Sequence, residues 1–263
     1  MTKITFMVNV HNEEPRVDYI LKPAVKWADE VIIIDKGSTD RTVEIAESYG
    51  AKIFQVGESP EGDDDRETWV NFASNDWIYW GTPSEIPTRT CIDACREMAN
   101  GDYDLITVPR KMYMLGVHSA NSPWYISHYR FLFNRTRTIV KNKIHQNFAA
   151  KYGKIGHVPY SPECCVYHLT YTSGKYWINT MVDYWQTEAK NSTNPEEDIS
   201  KCFASIQQHE AKLRAGGEET RLLHLAWTLY HIGTAFFLEE KRRGMDIKSE
   251  YKKIYDQILK EWE

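Results

Sequence analysis

Two short polar clusters hold most of the chemistry available to this sequence. The first is Val10-His11-Asn12-Glu13-Glu14, and the second is Asp35-Lys36-Gly37-Ser38-Thr39-Asp40-Arg41-Thr42. Each follows directly on an apolar run, residues 4–10 and 31–34. Carboxylates and amides so placed accept directional, charge-assisted hydrogen bonds from the N–H and O–H groups of a polar ligand. Ser38, Thr39 and Asp40 also have the composition of a helix N-cap, so part of the second cluster is expected to be scaffold. A third polar stretch, residues 57–65, contains Pro60, Gly62 and the run Asp63-Asp64-Asp65. It is expected to be a solvated loop leading into a helix, with cation binding as the alternative.

The elements that must position these clusters are legible from periodicity. Apolar runs at 4–10, 31–34, 52–56, 77–80 and 105–108 predict strands, and continuous rather than alternating runs predict burial on both faces. Between them lie predicted helices: one from Pro15 with Val17, Ile20, Leu21, Val25 and Trp27 on its apolar side, one ending at Tyr49 before Gly50, then 66–74 and 88–99. Regular alternation of strand and helix predicts an α/β, Rossmann-like domain with a mostly parallel sheet, whose ligands bind beyond the C-terminal strand ends. Residues 112–171 are irregular, aromatic and basic. Helices are predicted at 176–190, 196–215, 220–243 and 249–262, separated by 191–195, Gly216-Gly217 and Gly244. The expected division is therefore a first domain, 1–172, and a C-terminal helical region, 173–263.

Composition excludes some classes. The chain has 263 residues and a formal net charge of −5, which counts against general binding to nucleic acid. No apolar run reaches the roughly 18–20 residues that span a bilayer. The N-terminus turns polar at His11 too early for a signal peptide, so a cytoplasmic protein is expected. Five cysteines form no disulfide or zinc pattern and are expected to be free thiols. The 16 Tyr and 9 Trp suit stacking on sugar rings as well as ordinary core packing.

Taken together and in order, the two clusters resemble the family 2 glycosyltransferases of the GT-A fold. Members of that family open with a strand followed by Asn-Glu-Glu, then show Asp-Glu, a β-run and Asp-x-Gly-Ser-Thr-Asp-x-Thr. This chain has Asn12-Glu13-Glu14, Asp29-Glu30, 31–34 and the second cluster. Further similarity lies in Arg66, in Asn75-Asp76-Trp77-Ile78, in Arg130-Phe131-Leu132-Phe133-Asn134-Arg135, in Ile144-His145-Gln146 and in Val166-Tyr167-His168-Leu169. The resemblance covers roughly residues 3–190. It implies a nucleotide-sugar donor, commonly UDP-linked, lying across the first two strand ends. Asn12, Glu13, Asp35 and Ser38 would then meet the nucleoside, and Arg66, Thr82, Ser84 and Arg130 the rest of the donor.

The chain departs from that pattern where relatives hold a divalent metal. Their fourth strand ends in Asp-x-Asp-Glu; here the run is Thr82-Pro83-Ser84-Glu85. Neutral hydroxyls are poor sole ligands for Mg²⁺ or Mn²⁺. Three readings stay open. The enzyme works without metal, with Arg66, Arg130, Lys141 or Lys143 stabilising the leaving diphosphate. Alternatively Glu85 and His168 still hold a metal. Or catalysis is lost, and a sugar-nucleotide- or glycan-binding protein remains. If active, the expected chemistry is inverting displacement, with Glu85 first and His145 second as general base, since Gln146 replaces the carboxylate of many relatives. The acceptor is expected to be the hydroxyl of a glycan, a lipid-linked glycan or another molecule. The basic, aromatic stretch 129–143 keeps modified DNA bases as an alternative acceptor. A stripe of Leu222, Leu223, Leu225, Ala226, Leu229, Tyr230, Ile232 and Gly233, followed by Phe236-Phe237-Leu238, is expected to pack as core against the first domain or as the seam of a homo-oligomer.

Overall fold

A computed structural model describes residues 2–57, 65–141, 148–170, 173–244, 249, 251 and 252. Hence His145, Gln146, Lys143, Asp63, Asp64 and most of the fourth predicted C-terminal helix lie outside the described residues. The chain divides into two compact units, Met1–Tyr113 with Ile126–Thr170, and Met114–Tyr125 with Tyr171–Glu263.

The first unit begins β1 (Ile4–Val10), α1 (Glu14–Trp27), β2 (Glu30–Asp35), α2 (Thr42–Ser48) and β3 (Lys52–Gln55). It continues with α3 (Arg66–Trp69), β4 (Trp77–Gly81), β5 (Glu85–Pro87), α4 (Arg89–Met98) and β6 (Leu105–Met114). Five further strands follow: β7 (Ile126–Asn134), β8 (Thr138–Val140), β9 (Phe148–Ala150), β10 (Ile155–His157) and β11 (Val166–Thr170). The main sheet runs β3-β2-β1-β4-β7-β6-β11-β5, with β10 beside β6. Strands β3, β2, β1 and β4 are parallel, as the alternation predicts. Strand β7 inserts antiparallel between β4 and β6. The aromatic stretch after residue 112 thus forms strands that the sequence reading left irregular.

Period-2 alternation explains the two cores. Ile4, Phe6, Val8, Ile33, Tyr79 and Ile106 face one way, against Val17, Ile20, Leu21 and Ala24 of α1 and the inward side of α4. Met7, Ile32, Ile34, Ile78, Trp80 and Phe133 face the other way, onto Trp69 and Val70. Cys91, Cys95, Cys164, Cys165 and Cys202 are free and buried. The helix expected over 66–74 is shorter: α3 gives way to a 3-10 turn at Val70–Phe72.

The second unit holds α5 (Gly174–Asn191), α6 (Pro195–Ala215) and α7 (Glu218–Arg243). Ser173 and Asn194 cap the first two through their side chains. Trp177, Met181, Trp185, Leu213, Leu223 and Ala226 form its core. Among the described residues, no helix is long and apolar enough to cross a membrane.

Candidate functional site

The first two strand ends come together as expected. β1 and β2 are in register with Val10 opposite Asp35, and the Lys36 amide donates to the Val10 carbonyl at 2.9 Å. Asn12 turns the chain through the left-handed region, φ 54°, which Asn tolerates better than most residues. Its amide donates to Ser38 Oγ at 2.9 Å, and its Oδ1 accepts from the Thr39 amide at 2.8 Å. Asp35 is buried and accepts from the Ser38 amide at 3.1 Å.

The two loops also cap each other's helices. The Glu13 amide donates to Thr42 Oγ1 at 2.7 Å and the Glu14 amide to Asp40 Oδ2 at 3.0 Å. In return the Arg41 amide donates to Glu14 Oε2 at 3.2 Å, and Asp40 Oδ1 accepts from the Thr42 amide at 3.0 Å. The N-termini of α1 and α2 are therefore satisfied in part by each other's loops, with Asp40 serving both helices. This anchors two loops that a ligand must find already in place.

Glu13 is half-buried, and both its oxygens accept from Arg16 at 2.8 Å. Burial pushes its carboxyl up from the ordinary value, against the pull of Arg16. The end of β4 lies one strand over, with Val8 opposite Gly81. There the loop presents Thr82 Oγ1 and Ser84 Oγ, 3.3 Å apart. Glu85 follows, 3% exposed, directly opposite His168 in the β5–β11 pairing. Its Oε1 accepts from Arg110 Nη1 at 3.3 Å and lies 3.7 Å from His168 Nδ1. Among the described residues, neither Glu85 Oε2 nor His168 Nδ1 has a hydrogen-bond partner, and both are buried. Arg110 also donates through Nε to Ser127 Oγ at 3.2 Å and stacks over the Tyr129 ring at 4.5 Å.

Electrostatics bind these groups into one cluster. Burial raises the Glu85 carboxyl above its ordinary value, and the Arg110 charge opposes that rise. Burial, then the charges of Arg110 and Arg16, lower His168 to about 3, so its imidazole is neutral at physiological pH. Two acids are thus each matched by a guanidinium, around a neutral ring. Arg110 was missed by the sequence reading; its signal is a lone guanidinium just beyond the apolar run of β6.

Other expected residues fall elsewhere. Arg66 is buried over Trp80 and Phe148, at 5.1 and 5.7 Å, in the core of the opposite sheet face. Burial lowers it to about 10, so it keeps its charge. Arg130 is exposed and donates to the Phe148 carbonyl. His145 lies outside the described residues.

The residues at the strand ends do not fit a divalent metal. Among the described residues, no group of three or more His, Cys, Asp or Glu side chains is placed to hold one. Thr82 and Ser84 offer only neutral hydroxyls, and the one acid there is committed to Arg110. Glu85 and His168, expected as metal ligands, stand opposite each other in the β5–β11 pairing, with Glu85 Oε1 taken up by Arg110.

The family model for glycosyl transferase family 2 matches residues 5–151. The chain belongs to that family. Its first unit carries the GT-A fold that the motifs implied, and the helices of the second unit extend it. An uncharacterized glycosyltransferase of Rickettsia bellii is 45% identical over 51 residues, 19% of this chain and 17% of that protein. A 4,4'-diaponeurosporenoate glycosyltransferase of Staphylococcus aureus is 33% identical over 61 residues, 22% of this chain and 16% of that protein. The match thus spans about a sixth of the length of these curated relatives. A solved structure of glucosyl-3-phosphoglycerate synthase from Mycobacterium tuberculosis, in complex with Mn²⁺, UDP and glucosyl-3-phosphoglycerate, aligns with a TM-score of 0.34. It is 20% identical over 43% of this chain and 44% of that one.

Proposed function

We propose that this family 2 protein transfers a sugar from a UDP-linked donor to a hydroxyl acceptor, with inversion and without a divalent metal. The observation that carries the reading is the convergence of the Val10–Glu14 and Asp35–Thr42 loops at adjacent C-terminal ends of parallel strands. In an open α/β sheet that rim is where ligands bind. The nucleoside lies over Asn12, Asp35 and Ser38, with Glu13 and Arg16 at its flank. The acceptor oxygen forms its bond to the anomeric carbon as the bond to the diphosphate oxygen breaks. The acceptor proton passes to a general base. Glu85 is closed off by burial, so the proposal gives that role to His145. The acceptor is a glycan, a lipid-linked glycan or another hydroxyl compound.

One observation favours a second reading. The only acid in the loop after β4 is sealed and paired. This suits a protein that binds a sugar nucleotide or glycan without turning it over. A single experiment addresses both readings. The protein is titrated calorimetrically with UDP, GDP and their sugars, and donor hydrolysis is followed in parallel. Binding with turnover supports transfer, binding without turnover supports the second reading, and no binding under any condition removes transfer and sugar-nucleotide binding alike.

A further inference from the structure

In the loop after β4, Thr82 and Ser84 offer a metal only neutral hydroxyls. They also set no negative charge against a donor diphosphate. What remains beside that loop is an ion pair with one member sealed and one partly open. The Glu85 side chain is 2% exposed, the Arg110 side chain 16%. Of the two, only the guanidinium keeps some exposure through which to meet a ligand.

We infer that Arg110 meets the diphosphate of the bound nucleotide in place of a metal ion, and that Glu85 is its positioning residue. The inference rests on the nucleotide-sugar reading above and names the group that would do the work of the missing cation. Three contacts fix the guanidinium before any ligand arrives: Glu85 Oε1 on Nη1, Ser127 Oγ on Nε, and the Tyr129 ring beneath its plane. Ser127 stands directly opposite Arg110 in the β6–β7 register, so the aim is set by the sheet itself. These contacts use two of the five N–H groups of an arginine, a fork suited to phosphate oxygens. Fixed donors in a site of low dielectric stabilise charge on a leaving group without reorganisation. Glu85 is then neither base nor metal ligand. Its burial makes it a rigid counter-charge that holds the guanidinium in one place.

The test uses the full chain and two probes, UDP and uridine, titrated calorimetrically in EDTA and again with Mn²⁺. The wild-type protein is expected to bind UDP equally well in both. Arg110→Gln is expected to weaken UDP binding about 10–100-fold, the loss of a charge-assisted contact, while leaving uridine binding unchanged. Arg110→Lys should recover part of the loss. Glu85→Gln should lower UDP affinity and again spare uridine, which a general folding defect would not do. Wild-type UDP binding that collapses in EDTA overturns the inference, as does Arg110→Gln binding UDP like the wild type. A wild-type protein that binds neither probe would instead remove the nucleotide-sugar reading on which the inference stands.

Discussion

Glu30 is a polar group whose removal should cost this fold several hydrogen bonds at once. It stands at the start of β2, where its side chain is 6% exposed. Oε1 accepts from Lys52 Nζ at 2.6 Å and Ser74 Oγ at 2.7 Å; Oε2 accepts from Thr5 Oγ1 at 2.7 Å and the Ser74 amide at 2.8 Å. One carboxylate thus ties β1, β2, β3 and the approach to β4. Burial alone would raise its pKa, but the hydrogen bonds from Lys52, Thr5 and Ser74 outweigh it and hold the carboxyl at about 2 rather than 4.5. That difference corresponds to about 3 kcal/mol of stability. Because the folded value is depressed, the contribution is complete above pH 4.5 and is lost as pH falls toward 2. About 2 kcal/mol of it should be gone by pH 3. Glu30→Gln should therefore unfold in urea with a stability about 3 kcal/mol below wild type at pH 7, and the gap should narrow on acidification. A gap under about 1 kcal/mol at pH 7, or one that stays constant down to pH 3, would refute the reasoning.

Other expectations follow from the same geometry. His168, held at about 3 by burial and two guanidinium charges, should keep the NMR shifts of a neutral ring at pH 5; a midpoint above 6 contradicts the cluster described here. Since the unfolded ring takes its proton near 6.5 and the folded ring resists it, this site should cost stability as pH falls from 6.5 toward 3, and His168→Gln should flatten that slope in urea titrations. A Cβ at Gly81 would lie 2.7 Å from Phe6 Cζ, so Gly81→Ala should destabilise by about 1–3 kcal/mol, with partial rescue by Phe6→Leu in thermal melts. On α7, Leu222, Leu225, Leu229, Ile232 and Phe236 are exposed at alternating spacings of three and four, the pattern of a helix seam. Sedimentation at micromolar concentration should show self-association that Leu225→Glu with Ile232→Glu abolishes; a monomeric wild type excludes that seam.

The parallel half of the sheet was legible because its strands are buried on both faces, and continuous apolar runs such as 4–10 and 31–34 leave few alternatives. The convergence of Asn12 with Ser38 and Thr39 was legible for a related reason, since adjacent parallel strands bring their C-terminal loops together. Mutual capping was not: Asp40 looks like a local cap, and only the tertiary fold shows it also serving α1. The pairing of Glu85 with Arg110 was hidden by 25 residues of separation, and by β11 reaching the sheet beside β5 only at the end of the unit. Arg66 misled because a charged residue suggests a ligand contact, whereas here two aromatic faces take its charge into a core.

The most direct test of the whole account is a crystal structure of the protein with UDP bound in EDTA. The account predicts the nucleoside against Asn12, Asp35 and Ser38, and the diphosphate on Arg110 beside Thr82 and Ser84. A nucleotide bound away from the β1 and β2 strand ends, or a diphosphate that makes no contact with Arg110, would contradict it.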